Sequence, residues 1–337
     1  MGRRKLGKTN LEVVPVGFAT LAAAQQTAID NAKEVLNAAL NAGVNFIDTA
    51  RSWSKSEEQV GQYIAHRRDE YYLAAKSMKR SGVEIAEDIR QSLIAMRTDH
   101  IDLYQIQNLR TREELQEVLS PHGALFALKA ARQAGSIRHI GITGYEIPIL
   151  LEALLTDEFE TVQIPFNIVE QDAIKLLFPL AREMNIGVIG MKPLGGGALH
   201  NANLALRFVL EHENIAVTVS GMDEVWQVKE NLGAIRKFHP LLEDEREALM
   251  RLVDTAGRRF CRRCGLCVPC PEDINIPRIF LSYLQYTRQG ARRLLPAELA
   301  YMQTKSAACT GCGLCESRCP YHLEIRERLQ MIKKDLG

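Results

Sequence analysis

All eight cysteines of this 337-residue sequence fall in two short runs, CRRCGLCVPCP at 261–271 and CTGCGLCESRCP at 309–320. Cys261, Cys264 and Cys267 follow one another at three-residue intervals, as do Cys309, Cys312 and Cys315; each trio precedes a cysteine joined to a proline, Cys270 or Cys319. Three thiolates so spaced can wrap three corners of a cuboidal cluster from one loop, with Gly265, Gly311 and Gly313 letting the backbone approach. This donor set suits either a pair of [4Fe–4S] clusters or a pair of structural zinc sites. Zinc sites usually use two separated CxxC pairs, so the triple spacing with Cys-Pro, repeated until every cysteine is used, favours iron–sulfur.

A trio leaves each cluster one ligand short. In two-cluster ferredoxins the missing ligand is the proline-flanked cysteine of the opposite run. That pattern assigns Cys261, Cys264, Cys267 and Cys319 to one [4Fe–4S] cluster and Cys309, Cys312, Cys315 and Cys270 to the other. Ile274 and Ile276 after the first run, and Leu323 and Ile325 after the second, are expected to form matching apolar lids. The spacer carries Ile279, Phe280, Leu281, Tyr283 and Tyr286, read as helical core packing or cluster shielding.

The elements upstream have a regular cadence. Strand-like runs occur at 13–18, 45–50, 71–77, 100–107, 137–144, 161–167, 186–194 and 216–221, and amphipathic stretches such as AIDNAKEVLNAALNAG and VEIAEDIRQSLIAMRT fill the intervals. The cadence predicts an α/β fold, a (β/α)8 TIM barrel at 1–250, followed by a small, mainly helical ferredoxin-like iron–sulfur domain at 251–337. A doubly wound open sheet is the rival, but Gly17 is followed by FATLAAAQQ rather than a GxGxxG phosphate loop. KLGKTNLEV is expected to form a hairpin under the barrel, with Thr9 and Asn10 at its turn. In a barrel, chemistry sits at the C-terminal ends of the strands, which singles out Asp48 and Lys76.

At these residues the chain resembles the aldo-keto reductases. RRKLGKTNLEVVPVG, FIDTA with SEEQVG, IDLYQI, IGITGY, GVIGMKPLGGG and KENLGAI occur in the family's order over about residues 3–238. The resemblance implies a barrel that binds a nicotinamide cofactor, usually NADPH, and reduces carbonyls; a subgroup adds a ferredoxin-like module. Asp48 and Lys76 match the family's aspartate and lysine, whereas the proton-donating tyrosine is replaced by Trp53 and the histidine by Gln107. An indole N–H donates a hydrogen bond but does not deliver a proton as a phenol does, and an amide has no titratable proton. Loss of general acid help costs about 10²–10⁴ in rate, so reduction by the family's usual route is in doubt. The resemblance places Gln163 and Asn167 at the nicotinamide, Lys192, Pro193 and Leu194 at the pyrophosphate, and Ser220, Gly221, Met222, Gln227 and Asn231 at the adenine ribose and its phosphate. Gln227 stands where the family usually has an arginine, which leaves NADPH and NADH both open. Tyr145 and Glu170 are further acid or base candidates, and Arg51 pairs with an anionic substrate or with a surface carboxylate.

Forty-two basic against forty-one acidic residues give a charge of +1, which supplies no field for nucleic acid. The start MGRRKLGKTNLEVVPVG lacks the apolar core of a signal peptide and no run of eighteen apolar residues occurs, so a cytoplasmic protein without membrane insertion is expected. The functional expectation is an iron–sulfur oxidoreductase whose barrel takes NADP(H) and a small organic substrate, with a one-electron redox protein as partner. Arg258, Arg259, Arg262 and Arg263 offer an acidic partner a basic surface. Two other readings stay open: an electron-transfer subunit with a non-catalytic barrel, and a lyase or hydratase using Asp48 and Lys76 with structural clusters.

Overall fold

The computed structural model describes residues 2–23, 31–53, 55–197, 199–257, 261–262, 264–289 and 296–337. Ala28 of the first amphipathic stretch, and Arg258, Arg259 and Arg263 of the basic surface, lie outside them. The chain divides into two compact units, Met1–Arg246 and Glu247–Gly337.

The first unit opens with a hairpin of β1 (Arg4–Lys5) and β2 (Glu12–Val13). Its turn carries Asn10 at φ 59°, a left-handed value that asparagine tolerates. Eight strands then close into a barrel: β3 (Val16–Ala19), β4 (Phe46–Asp48), β5 (Tyr72–Ser77), β6 (Ile101–Leu109), β7 (Ile137–Gly144), β8 (Thr161–Pro165), β9 (Gly187–Met191) and β10 (Ile215–Gly221). Every neighbouring pair is parallel, and β10 pairs with β3 to complete the ring. This closure excludes the open sheet.

The hairpin covers the N-terminal end of the barrel. Leu6, Leu11 and Val13 pack with Phe46, Leu103, Ile189 and Val217 in one buried cluster. Gly7, at φ +53°, lies so close to the start of β9 that a Cβ there would come within 2.2 Å of the Gly187 nitrogen. One end of the barrel is thus filled with hydrocarbon, and polar chemistry is left to the other.

The outer helices are α1 (Ala32–Asn41), α2 (Ser56–Tyr63), α3 (Gly82–Met96), α4 (Arg112–Leu119), α5 (Ala124–Gln133), α6 (Ile147–Leu154), α7 (Leu177–Glu183), α8 (Ala202–Leu210) and α9 (Val225–Arg236). Ser81 and Asn201 cap α3 and α8 by accepting from the backbone N–H of Glu84 and Leu204. Helix α4 carries little apolar periodicity, since only Leu115 and Val118 are buried along it. Its local signal is the Thr111 cap, which accepts from the Glu114 N–H in a T-x-x-E pattern. Helix α10 (Glu243–Gly257) starts in the first unit and continues across the division.

The second unit contains α11 (Ile276–Gln289), α12 (Pro296–Ala307), the short α13 (Leu314–Ser317) and α14 (Ile325–Leu336). Its core gathers Ile274, Ile276, Ile279, Phe280, Met302, Leu323, Ile325, Leu329 and Ile332 around Cys267, Cys315 and Cys319. Among the described residues no helix is long and apolar enough to cross a membrane.

Candidate functional site

At the C-terminal end of the barrel, strand register sets polar side chains side by side. Lys76 on β5 is level with Gln105 on β6, and Asp48 on β4 with Ala74 on β5. The Lys76 ammonium donates to Asp48 Oδ1 at 2.6 Å and to the Thr49 carbonyl at 3.0 Å. It also lies 4.3 Å from the centroid of the Trp53 ring, a cation–π geometry. Burial pulls the Lys76 proton affinity below the ordinary lysine value, and Asp48 opposes that pull. Asp48 is committed through both oxygens, because Gln163 Nε2 donates to its Oδ2 at 3.1 Å. Gln105 Nε2 in turn donates to Gln163 Oε1 at 3.0 Å, so a buried chain runs from Lys76 through Asp48 and Gln163 to Gln105.

Gln105 was not singled out in the sequence. It stands two residues before Gln107 on the same strand, hence on the same face, and that parity is the signal that could have found it. Its Oε1 is buried with no hydrogen-bond partner. Gln107 itself is half-buried and accepts from Ser52 Oγ at 3.1 Å. Arg80 donates to the backbone carbonyls of Gln107 and Asn108, where β6 changes register and Asn108 takes φ 55°. Arg51 pairs with buried Glu57, whose proton affinity burial raises, rather than standing open to a substrate anion.

Asn167 is buried after β8; its Nδ2 donates to Glu170 Oε2 at 2.7 Å and to the Lys192 carbonyl at 3.0 Å. Lys192 follows β9 at φ 57° and its Nζ donates to the Tyr145 hydroxyl at 2.5 Å, with the ammonium 4.4 Å from that ring's centroid. Pro193 is buried and Leu194 half-buried. Ser220 accepts from Asn231 Nδ2 at 3.2 Å, Met222 is fully buried, and Gly221 is exposed. Gln227 turns its Oε1 back to the backbone N–H groups of Asp223 and Glu224 at 2.7 and 3.2 Å. It acts there as part of the start of α9.

In the second unit the cysteines gather crosswise. One recess of about 310 Å³ is lined by Cys261, Cys264, Cys267 and Cys319, with Leu323 and Ile325 against it. Another of about 350 Å³ is lined by Cys270, Cys309, Cys312 and Cys315, with Ile274 and Ile276 against it. Each recess therefore draws three cysteines from one run and the proline-flanked cysteine from the other.

A local repeat brings this about. After Cys270-Pro271 and after Cys319-Pro320 the chain turns back, the Asp273 N–H donating to the Cys270 carbonyl at 2.9 Å and the His322 N–H to the Cys319 carbonyl at 3.2 Å. Asp273 and His322 both sit at φ 50°, and α11 and α14 start three residues further on. Gly311 and Gly313, at φ 75° and 79°, hold the second run in a loop that side-chain-bearing residues rarely adopt. Burial pushes the Cys267 thiol up to about 12, with Cys261 and Cys264 adding to the effect.

The donor chemistry fits iron–sulfur clusters. Each recess offers four thiols among apolar side chains. Among the described residues no three His, Cys, Asp or Glu side chains are gathered closely enough to hold a single metal ion.

Comparison with known proteins agrees with both halves of the geometry. Residues 15–204 match the Aldo/keto reductase family and residues 260–324 the 4Fe-4S dicluster domain. The uncharacterized oxidoreductase YqkF of Bacillus subtilis is 27% identical over 213 residues, 59% of this chain and 67% of that protein. L-galactose dehydrogenase of Arabidopsis thaliana is 25% identical over 291 residues, 72% of this chain and 90% of that protein. In fold, the aldo-keto reductase AKR11C1 from Bacillus halodurans, in its holo form, matches with a TM-score of 0.65 at 24% identity over 75% of this chain and 96% of that one. The resemblance read from the motifs is borne out, and the chain belongs to the aldo/keto reductase family, with a 4Fe-4S dicluster domain following its barrel.

Proposed function

We propose that the protein is an oxidoreductase in which the barrel mouth binds NADP(H) and a small organic carbonyl or alcohol, and two [4Fe–4S] clusters exchange single electrons with a redox protein. The observation that carries this reading is the crosswise gathering of Cys261, Cys264, Cys267 and Cys319 in one recess and Cys270, Cys309, Cys312 and Cys315 in the other. Two complete cages side by side form a relay, whereas holding a chain end in place needs only one. The domains that carry these tasks correspond to about residues 1–250 and 251–337.

When bound, the nicotinamide would exchange a hydride and the clusters one electron each. The chain's own groups then have distinct tasks. Asn167, beside the Lys192 carbonyl, and the β9 segment Lys192, Pro193 and Leu194 would hold the nicotinamide and pyrophosphate. Ser220, Gly221, Met222 and Asn231 would line the adenine ribose, where Gln227 brings no positive charge to a 2′-phosphate; discrimination between NADPH and NADH is accordingly weak. Gln163, bound to Asp48, would order the floor of the pocket. Trp53 and Gln107 would meet the substrate, the first through its ring and the second through its amide. A relative named L-galactose dehydrogenase is in keeping with a small polar substrate.

Lysine-based lyase or hydratase chemistry is disfavoured. The Lys76 ammonium is engaged by Asp48, the Thr49 carbonyl and the Trp53 ring, which leaves it poorly placed as a nucleophile or proton donor. The same closure of Lys76 by Trp53 favours, as a second reading, an electron-transfer subunit whose barrel does no chemistry.

Anaerobic mixing of the iron-reconstituted protein with NADPH and with NADH decides between these, with nicotinamide fluorescence and cluster absorbance followed together. Binding with bleaching of the clusters supports the relay. Reducible clusters with no affinity for either nucleotide support the electron-transfer subunit.

A further inference from the structure

With Trp53 and Gln107 in the places of the family's acid groups, a proton for the substrate oxygen must come from elsewhere at the mouth. Lys76 is an unsuitable source, because Asp48, the Thr49 carbonyl and the Trp53 ring already engage it. Following the C-terminal ends of β7 and β9, on either side of β8, the structure holds a tyrosine–lysine pair. Tyr145 follows Gly144 and Lys192 follows Met191, both half-buried. Lys192 Nζ is 2.5 Å from the phenol oxygen and its charge lies 4.4 Å from the ring centroid.

We propose that Tyr145 is the proton donor and acceptor of the barrel site and that Lys192 is its positioning residue, the pair taking over the task the family gives to a tyrosine at position 53. The inference rests on the nicotinamide-linked reading above. In the reducing direction the carbonyl carbon gains a hydride from reduced nicotinamide and the C=O π pair moves to oxygen. That oxygen takes the Tyr145 proton, and the phenolate recovers a proton from water. A positive charge 2.5 Å from the phenol oxygen compensates the negative charge that develops there as the proton leaves. In the oxidising direction Tyr145 first gives its proton to water, and the phenolate then accepts the alcohol proton as the hydride passes to oxidised nicotinamide.

The setting of Lys192 supports this role. Its backbone is held at φ 57°, a conformation that non-glycine residues seldom take, and its carbonyl is fixed by Asn167 Nδ2 at 3.0 Å. Such strain gathers at functional sites because the surroundings must stabilise it. By strand order β9 lies opposite β5 in the ring, so a substrate held at the mouth between them would meet the Trp53–Lys76 pair from one side and the Tyr145–Lys192 pair from the other. An aromatic ring then lies on one side and a proton source on the other.

The test uses full-length, cluster-loaded protein kept anaerobic. Wild type, Tyr145→Phe, Lys192→Met, Lys192→Arg and the double variant Tyr145→Phe/Trp53→Tyr are compared in two measurements. One is NADPH affinity by fluorescence titration; the other is the single-turnover rate of NADPH oxidation by para-nitrobenzaldehyde. Tyr145→Phe is expected to slow turnover by about 10²–10⁴ while NADPH affinity is unchanged. Lys192→Met slows it likewise, and Lys192→Arg recovers part of the loss. The double variant is expected to regain activity, since a phenol at position 53 stands beside Lys76.

Tyr145→Phe at the wild-type rate overturns the proposal, as does a double variant no faster than Tyr145→Phe alone. So does a Lys192→Met protein that keeps its rate at NADPH saturation, whatever its NADPH affinity, which would limit Lys192 to holding the cofactor. A wild type that binds NADPH without reducing the aldehyde overturns this proposal alone. A wild type that binds no NADPH overturns the nicotinamide reading and this inference with it.

Discussion

The Lys76 ammonium lies 4.3 Å from the centroid of the Trp53 ring, so an indole face closes off the lysine that the family pairs with a phenol. The two residues are 23 positions apart and meet because β4 and β5 are neighbours in the barrel. Their contact keeps the charge and removes the proton carrier.

The ion pair beneath that contact is expected to matter for stability chiefly when it is broken. Asp48→Asn leaves Lys76 buried without its counter-charge and should cost about 3–5 kcal/mol in urea unfolding. The double replacement Asp48→Leu/Lys76→Met, which removes both charges, should be close to wild type or more stable. Because burial lowers the Lys76 proton affinity, the unfolded chain binds that proton more tightly than the folded one. Wild-type stability should therefore gain from this residue as pH rises toward the ordinary lysine value of about 10.4, a gain absent in the double variant. The same pH slope in both proteins would contradict the assignment.

Crosswise ligation makes a prediction about pairs of cysteine substitutions. Cys319→Ser should remove the cluster of the first run and Cys270→Ser that of the second, each leaving about half of the iron and acid-labile sulfide. Adding Cys261→Ser to Cys319→Ser should remove little more, while adding Cys309→Ser should empty the protein. Iron analysis and the EPR of the reduced clusters read the result. Complete loss from Cys319→Ser/Cys261→Ser, with half retained by Cys319→Ser/Cys309→Ser, would reverse the assignment.

Burial ranks the thiols of the metal-free protein. Cys312 is exposed, whereas Cys267, Cys315 and Cys319 are each 8% exposed. Brief iodoacetamide treatment of chelated, reduced protein should label Cys312 first and those three last, as read by peptide mass spectrometry. Uniform labelling would mean that the second unit is not folded without its clusters.

A further prediction concerns the start of α10. Arg207 is only 2% exposed and donates to both oxygens of Glu245, at 2.7 and 2.6 Å. That hydrogen bond, with another from the Leu242 N–H, holds the Glu245 carboxyl down at about 2. The stabilisation is complete above the unfolded value of about 4.3 and fades as pH falls toward the folded one. Glu245→Gln should be less stable than wild type at neutral pH, and the two should converge in acid. Parallel stability curves from pH 6 to pH 2 would count against it.

Much of the second unit could be read directly from the chain. The spacing of Cys261, Cys264 and Cys267 and of Cys309, Cys312 and Cys315 is local, and so are the glycines beside them. Even the lids could be assigned, since Ile274 and Ile276 follow one run at the positions that Leu323 and Ile325 occupy after the other. In the barrel, eight strand-like runs were legible because a parallel strand buried on both faces is a nearly continuous apolar stretch. Helix α4 was not, because it is short and buries only Leu115 and Val118.

The sequence by itself determined which atoms are available: eight thiols, an aspartate and a lysine at strand ends, and an indole and an amide in place of a phenol and an imidazole. Only the tertiary structure decided which of them meet. Lys192 reaches Tyr145 across 47 positions, Gln163 reaches Asp48 across 115, and Cys319 joins a recess that begins at Cys261. Spacing along a chain fixes contacts within a turn or a loop, whereas barrel closure and register bring distant strand ends to one level, and no local pattern encodes that meeting.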